Sequence, residues 1–357
     1  MVAAFTTLRL LEPWRTSGVV AFAAIPEVFY DSSHSMSPSL TPSARKQIIQ
    51  TGAVLRNRNI CRDHYRLTMR VPQFDAARAG QFVHLCPEAV DRASYTLVDD
   101  PWSAPHEPWL HDVQNPMLRR AFSVAELVRR ADGVDVDVMY RVVGTATRWL
   151  ASLQSGDSIS VMGPLGRPFP ISTSKANAWL VAGGVGLPPL LWLAKALSES
   201  GKQTVAFCGA QSHDLLALEL DPSAPPSRDA RTATWSAREF AEFSAPVVIS
   251  TDDGSLGFRG HVGAALTAYA EANPLSSETL VVYACGPERM MHFVSEFCAA
   301  RNIDCYVCVE RNMACGTGMC QSCIVPVGDT NEAEGWRYQL CCTEGPVFDA
   351  RSVLWDR

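Results

Sequence analysis

From about residue 46 to 170, apolar and polar positions alternate in short runs broken by turns. "YRLTMRVP", "GQFVHLCP", "RRAFSV", "VDVDVMYRVVG" and "GDSISVMGPLG" each read as a short strand. Many such strands in succession predict an antiparallel β-barrel. "DDPWSAPHEPWLHDVQNP" interrupts the rhythm and is expected to be a surface insertion near 99–116.

From about 171 to 300 the pattern changes. "AWLVAGGVGLPPLLWLAKALSES" reads as a buried strand, a Gly-rich turn and a helix. "TVAFCGA", "APVVIST" and "TLVVYACGP" are further buried strands, and "GHVGAALTAYAEA" and "ERMMHFVSEFCAARN" are helices. Strands alternating with helices predict a parallel sheet. Residues 1–45 end in a Ser-, Pro- and Thr-rich stretch and are expected to be a disordered tail, with Met36 a candidate start. Residues 301–357 form a small C-terminal unit dominated by cysteines.

A length of 357 residues fits several domains better than one core. The net charge of -6 argues against a general nucleic-acid binder. No apolar run reaches the roughly 18 residues of a membrane span. "SGVVAFAAIPEVF" comes nearest, and Pro26 and Glu27 interrupt it. The N-terminus fits a secretory signal poorly, so a cytoplasmic location is expected, with reduced thiols. The twelve cysteines are then not a disulfide framework. Cys61, Cys86, Cys208, Cys285, Cys298, Cys305 and Cys308 are scattered, most of them in strand-like or helix-like text where a thiol packs as a small hydrophobe.

The other five carry chemistry. Cys315, Cys320 and Cys323 have the spacing C-x4-C-x2-C, with Cys341 or Cys342 as a fourth ligand. This is the plant-type ferredoxin spacing for a 2Fe–2S cluster, and four soft thiolates suit it. The intervening "GTG" lets backbone N–H groups approach the sulfur atoms. A structural zinc site built from Cys305, Cys308, Cys320 and Cys323 is the rival. The strand-like alternation of "CYVCVE" explains Cys305 and Cys308 without a metal.

Two further stretches suggest cofactors. In "RRAFSV", Arg120 can pair with a diphosphate, and the backbone of residues 121–123 can lie along a flat ring. "MYRVVGTATRWL" follows, where a strand ends at Gly144 and enters a helix whose N-terminus suits phosphate. In "VAGGVGLPPLL" a G-G-x-G turn joins a strand to a helix, unlike the ordinary G-x-G-x-x-G fingerprint. "STDDGSLGFRGHV" and "ACGPERMM" also follow strands. Turns at the carboxyl ends of parallel strands can share one crevice. Asp252 and Asp253 lean toward NAD over NADP, since an acid near the ribose would repel a 2′-phosphate.

The order of these motifs resembles the ferredoxin-reductase superfamily, and most closely the electron-transfer subunits of NAD-linked dihydroorotate dehydrogenases. The resemblance covers about residues 48–350 and includes "ERNMACGTGMCQSC" and the trailing "CTEGPVF". It implies a multidomain β plus α/β fold: a FAD-binding β-barrel over 46–170, an NAD-binding α/β domain over 171–300 and a 2Fe–2S domain over 301–357. It implies FAD contacts at Arg120, Ala121, Phe122, Ser123, Met139, Tyr140, Arg141, Gly144, Ala146 and Thr147. NAD would meet Gly183, Gly184 and Gly186, and Cys285, Gly286 and Pro287. The cluster ligands would be Cys315, Cys320, Cys323 and Cys342, the last chosen because it directly precedes the x2-GPVF pattern. Ala146 stands where the family usually has Gly, and Ala121 where it often has Pro.

The implied partner is an FMN-containing dihydroorotate dehydrogenase catalytic subunit, two of each forming a heterotetramer. Electrons would run from its FMN through the cluster and FAD to NAD+, in pyrimidine (UMP) biosynthesis. No general acid or base is then required of this chain. Similar small subunits serve ferredoxin:NADP oxidoreductases, sulfide dehydrogenases, hydrogenases and sulfite reductases, and the partner is not written in any one motif.

Overall fold

The computed structural model describes residues 48–74, 76–87 and 119–355. The expected tail over 1–45 and the insertion near 99–116 lie outside these residues. Six strands come first: β1 (Ile48–Cys61), β2 (His64–Val71), β3 (Phe82–Pro87), β4 (Arg120–Arg130), β5 (Gly133–Arg141) and β6 (Ser158–Leu165), with helix α1 (Thr145–Ser152) between the last two. They close into an antiparallel barrel in the order β1-β2-β5-β4-β3-β6.

The alternation in "VDVDV" shows why. Val134, Val136 and Val138 fill the barrel core. Asp135 and Asp137 alternate to the other face, where arginines cover them. Arg70 Nε donates to Asp135 at 2.7 Å, Arg130 Nε to Asp135 at 2.9 Å and Arg66 Nε to Asp137 at 2.5 Å. Buried carboxylates are tolerable only when paired in this way. The hydrogen bond from Arg70, joined by the one from Arg130, outweighs burial and holds the Asp135 carboxyl below its usual range.

The second part contains β7 (Asn177–Gly183), α2 (Leu187–Glu199), β8 (Gln203–Ala210), α3 (Arg238–Ala241), β9 (Val247–Thr251), β10 (Phe258–Arg259), α4 (Val262–Ala272), β11 (Leu280–Cys285), α5 (Glu288–Ala299) and β12 (Asp304–Cys308). Then come the hairpin strands β13 (Ile324–Gly328) and β14 (Trp336–Leu340), and a last strand β15 (Val347–Asp349). The sheet order is β10-β9-β8-β7-β11-β12-β15, parallel except for β15. β7 and β11 are almost wholly buried, which fits strands covered on both faces. Pro188 and Pro189 sit in the first turn of α2, where a missing N–H costs no helical bond.

Two strands of this sheet fall within 301–357, the segment expected to form the cluster domain. Buried Cys305, Val307 and Cys308 extend the sheet beyond β11, and β15 returns to cover its edge. The cysteine-rich segment is an excursion between β12 and β15. Its return is fastened on several sides. Arg167 N donates to Gly345 O at 2.6 Å, and Val309 N donates to Pro346 O at 2.8 Å. A Cβ on Gly166 would lie 2.5 Å from Pro346 Cδ. "GPVF" thereby ties the barrel, the sheet and the cysteine loop together.

Candidate functional site

The loop after β12 gathers the thiols by backbone geometry. Gly316 and Gly318 take φ values of +72° and +84°, the left-handed region that favours glycine. This turn aims amides at sulfur. Thr317 N and Cys320 N donate to Cys315 Sγ at 3.4 and 3.3 Å, and Cys342 N donates to Cys323 Sγ at 3.3 Å. The backbone amides thus join Cys320 to the Cys315 sulfur and Cys342 to the Cys323 sulfur. The four thiols therefore stand as two pairs.

Burial works against ionisation of Cys315, but the N–H donors of Cys320 and Thr317 outweigh it and bring its pKa down to about 6. The Ser322 hydroxyl, then its backbone, lowers Cys320. Burial, with the Cys323 hydrogen bond, pushes Cys342 up to about 12. Metal binding displaces such protons and takes the thiolates as ligands.

Cys341 faces elsewhere. It is buried, its Sγ donates to Val309 O at 3.2 Å, and burial pushes its thiol up. Cys305 neighbours Cys298, and Cys308 lies opposite Cys285 in the register of β11 and β12. The zinc alternative's four ligands are thus divided among different neighbours. Among the described residues no three Cys, His, Asp or Glu side chains form a group that would hold a single ion. Two thiol pairs match a two-iron cluster, in which each iron takes two protein ligands.

The barrel lies directly against this loop. A Cβ on Gly316 would be 2.8 Å from His84 Cε1, so the imidazole fills the space that glycine leaves. His84, on β3, is paired in register with Ala121 on β4. Burial, followed by the charges of Arg119 and Arg120, lowers its pKa to about 4. Sequence reasoning passed over this histidine, because only the strand register brings it to the cysteine loop.

The sequence-selected barrel residues surround one corner. The β4–β5 ladder ends at Val124 opposite Val138. Beyond it Arg120–Ser123 follow β3 only, while Met139–Arg141 follow β2. The two strands part here, and their backbone edges are no longer paired with each other. Phe122 and Tyr140 meet edge to face with centroids 6.0 Å apart, and the Tyr140 hydroxyl donates to Asn57 Oδ1 at 3.2 Å. Ala121 and Arg120 are exposed, whereas Met139 and Tyr140 are buried. Helix α1 starts at Thr145, so Ala146 and Thr147 belong to its first turn and not to the preceding loop. The Thr147 hydroxyl accepts from Val143 N at 2.9 Å and Gly144 N at 3.0 Å. The residues fit a flavin nucleotide: open strand backbone, an adjacent arginine and a helix N-terminus.

At the carboxyl end of the sheet the two Gly turns pack on each other. A Cβ on Gly186 would lie 2.1 Å from Cys285 O, and one on Gly183 would lie 2.8 Å from Pro287 Cδ. Gly286 has φ +155° and abuts Gly183. Gly184 opens to free space. The structure thus brings Gly183, Gly184, Gly186, Cys285, Gly286 and Pro287 together, in turns that follow the neighbouring strands β7 and β11. Asp252 and Asp253 follow β9, two strands from β7. Asp253 is engaged by its own turn, accepting from Ser255 N at 2.9 Å and Ser255 Oγ at 2.6 Å.

Comparisons with known proteins fall on the same regions. The family described as "Iron-sulfur cluster binding domain of dihydroorotate dehydrogenase B" matches residues 310–354, and "Oxidoreductase NAD-binding domain" matches 180–296. The dihydroorotate dehydrogenase B (NAD(+)) electron transfer subunit of Desulforamulus reducens is 33% identical over 245 residues, 69% of this chain and 83% of that relative. The protein of the same name from Streptococcus pneumoniae is 29% identical over 308 residues, 86% of this chain and 98% of that relative. A solved structure of an NADH-dependent reduced ferredoxin-NADP oxidoreductase superposes with a TM-score of 0.64 at 26% identity, covering 85% of this chain and 90% of that one. No helix among the described residues is long and apolar enough to cross a membrane.

Proposed function

This chain belongs to the family of dihydroorotate dehydrogenase B electron transfer subunits, and on that premise we propose that it conducts electrons from the FMN of a dihydroorotate dehydrogenase catalytic subunit through a 2Fe–2S cluster and FAD to NAD+, in pyrimidine (UMP) biosynthesis. It is an oxidoreductase subunit. The observation that carries the reading is the contact between Gly316 of the cysteine loop and His84 of the barrel, beside the strand Arg120–Ser123. The expected cluster site and the expected flavin strand are thereby neighbours.

When bound, a 2Fe–2S cluster exchanges single electrons and FAD exchanges both single electrons and hydride, so the pair can link an FMN partner to nicotinamide. Cys315, Cys320, Cys323 and Cys342 would hold the cluster. Arg120 would pair with the FAD diphosphate, and the N-terminus of α1 at Gly144, Ala146 and Thr147 would support the phosphates. The backbone of Ala121–Ser123 and Met139–Arg141 would bracket the ring. Gly183, Gly184 and Gly186 would let the dinucleotide approach the backbone, with Cys285–Pro287 flooring the nicotinamide side. These groups position cofactors; none is asked to move a proton.

The partner is taken to be an FMN-containing catalytic subunit in a complex of two of each. We place the chain in the cytoplasm. The complex isolated without oxygen is expected to contain about two irons and one FAD per copy of this chain, and to reduce an artificial acceptor with NADH. A chain without iron or flavin would refute the assignment. The 26% identity to the ferredoxin-NADP oxidoreductase chain favours a sister role as the second reading. It would be recognised by co-isolation with a partner inactive toward dihydroorotate.

A further inference from the structure

His84 has no exposed surface, and among the described residues neither ring nitrogen has a hydrogen-bond partner. Buried polar atoms are normally paired, so an imidazole left unpaired on both sides calls for a ligand. Its neighbours on the barrel face offer none: Ala121 lies opposite in register, and the Phe82 ring is 5.7 Å away. Its polar edge points out of the barrel at the cysteine loop. A Cβ on Gly316 would lie 2.8 Å from Cε1, 2.9 Å from Nε2 and 3.1 Å from Nδ1. Gly316 directly follows Cys315, the sulfur atom that already receives the Thr317 and Cys320 amides. A neutral imidazole keeps one N–H to donate, and a cluster held by this loop would bring sulfur acceptors to it.

We propose that His84 donates a hydrogen bond to the iron–sulfur cluster on the side held by Cys315 and Cys320, so that the barrel wall sets the cluster's reduction potential. This rests on the reading of the four cysteines as a 2Fe–2S site. A donor to sulfur stabilises the more negative, reduced state and raises the potential. Since β3 pairs with the expected flavin strand, the same residue also fixes the cluster loop against the flavin-bearing wall.

The test is an EPR-monitored redox titration of the whole complex. His84→Leu is expected to lower the cluster midpoint potential and leave the FAD potential unmoved. His84→Gln keeps an N–H donor and should return the value toward wild type. An unchanged potential in a His84→Leu complex that retains its iron and EPR signal would overturn the proposal. A second experiment uses the wild type, so it decides the matter even where the variant fails to fold. Protein grown with 15N-histidine should show a histidine nitrogen coupled to the reduced cluster in pulsed EPR, and a spectrum without that coupling would overturn the proposal. Wild-type protein without iron would instead refute the cluster reading, and this inference with it.

Discussion

Gly186 and Cys285 meet backbone to backbone: a Cβ on Gly186 would lie 2.1 Å from the Cys285 carbonyl oxygen. The strands that lead into these turns are held together, Asn177–Ala182 of β7 pairing with Leu280–Cys285 of β11. Gly186→Ala should therefore force the two turns apart, at an overpacking cost of about 1–3 kcal/mol. NADH-dependent dye reduction is expected to fall at least tenfold while FAD remains bound. Loss of flavin from this variant would show that the two sites are not divided as described.

The two adjacent cysteines provide a sharper contrast. The Cys342 amide donates to the Cys323 sulfur, whereas Cys341 donates to Val309 O. Cys342→Ser should abolish the visible absorbance of the cluster and lower iron per chain, with FAD kept. Cys341→Ser should keep both. Iron analysis and absorption spectra of the pair decide it, and the reverse result would transfer the ligand role to Cys341.

Arg120 is the charged residue of the expected flavin strand. Hydrogen bonds to charged groups contribute about 1.5–3 kcal/mol, so Arg120→Ala should weaken FAD retention by roughly ten- to hundredfold. Flavin content after dialysis measures this. Full retention would remove Arg120 from the diphosphate site.

Acid should weaken the barrel through Asp135. Its carboxyl is held low, first by the hydrogen bond from Arg70. A depressed carboxylate stabilises the fold above its unfolded pKa, near about 4, and that contribution is lost as pH falls through the lower folded value. Asp135→Asn should cost about 1–3 kcal/mol at neutral pH, and its gap from wild type should narrow below about pH 4. Thermal unfolding at several pH values follows this. A gap that stays constant with pH would assign the loss to packing instead.

Much of this arrangement is local and so could be read along the chain. Alternation in "VDVDV" marks a barrel strand, unbroken apolar runs mark the parallel sheet, and C-x4-C-x2-C marks the cluster loop. Long-range pairing was not legible. The strand "CYVC" lies beyond the boundary expected at 300, and only pairing with Val281–Cys285 reveals it as part of the sheet. His84 looks like any strand residue until the register sets it beside Ala121 and under Gly316. Asp253 looks free for a ribose in the sequence, yet its carboxylate closes its own turn on Ser255. The choice of Cys342 over Cys341 came from resemblance, since two adjacent cysteines have the same spacing to within one residue.

The most direct measurement is dihydroorotate-dependent reduction of NAD+ by the native complex, co-purified from its source through this chain. The expected result is turnover with an FMN-containing partner present in equal number, lost when this chain is removed and restored when it is returned. A complex that contains the flavin and the iron, reduces dyes with NADH and shows no reaction with dihydroorotate would contradict the assignment and transfer the chain to a sister partner.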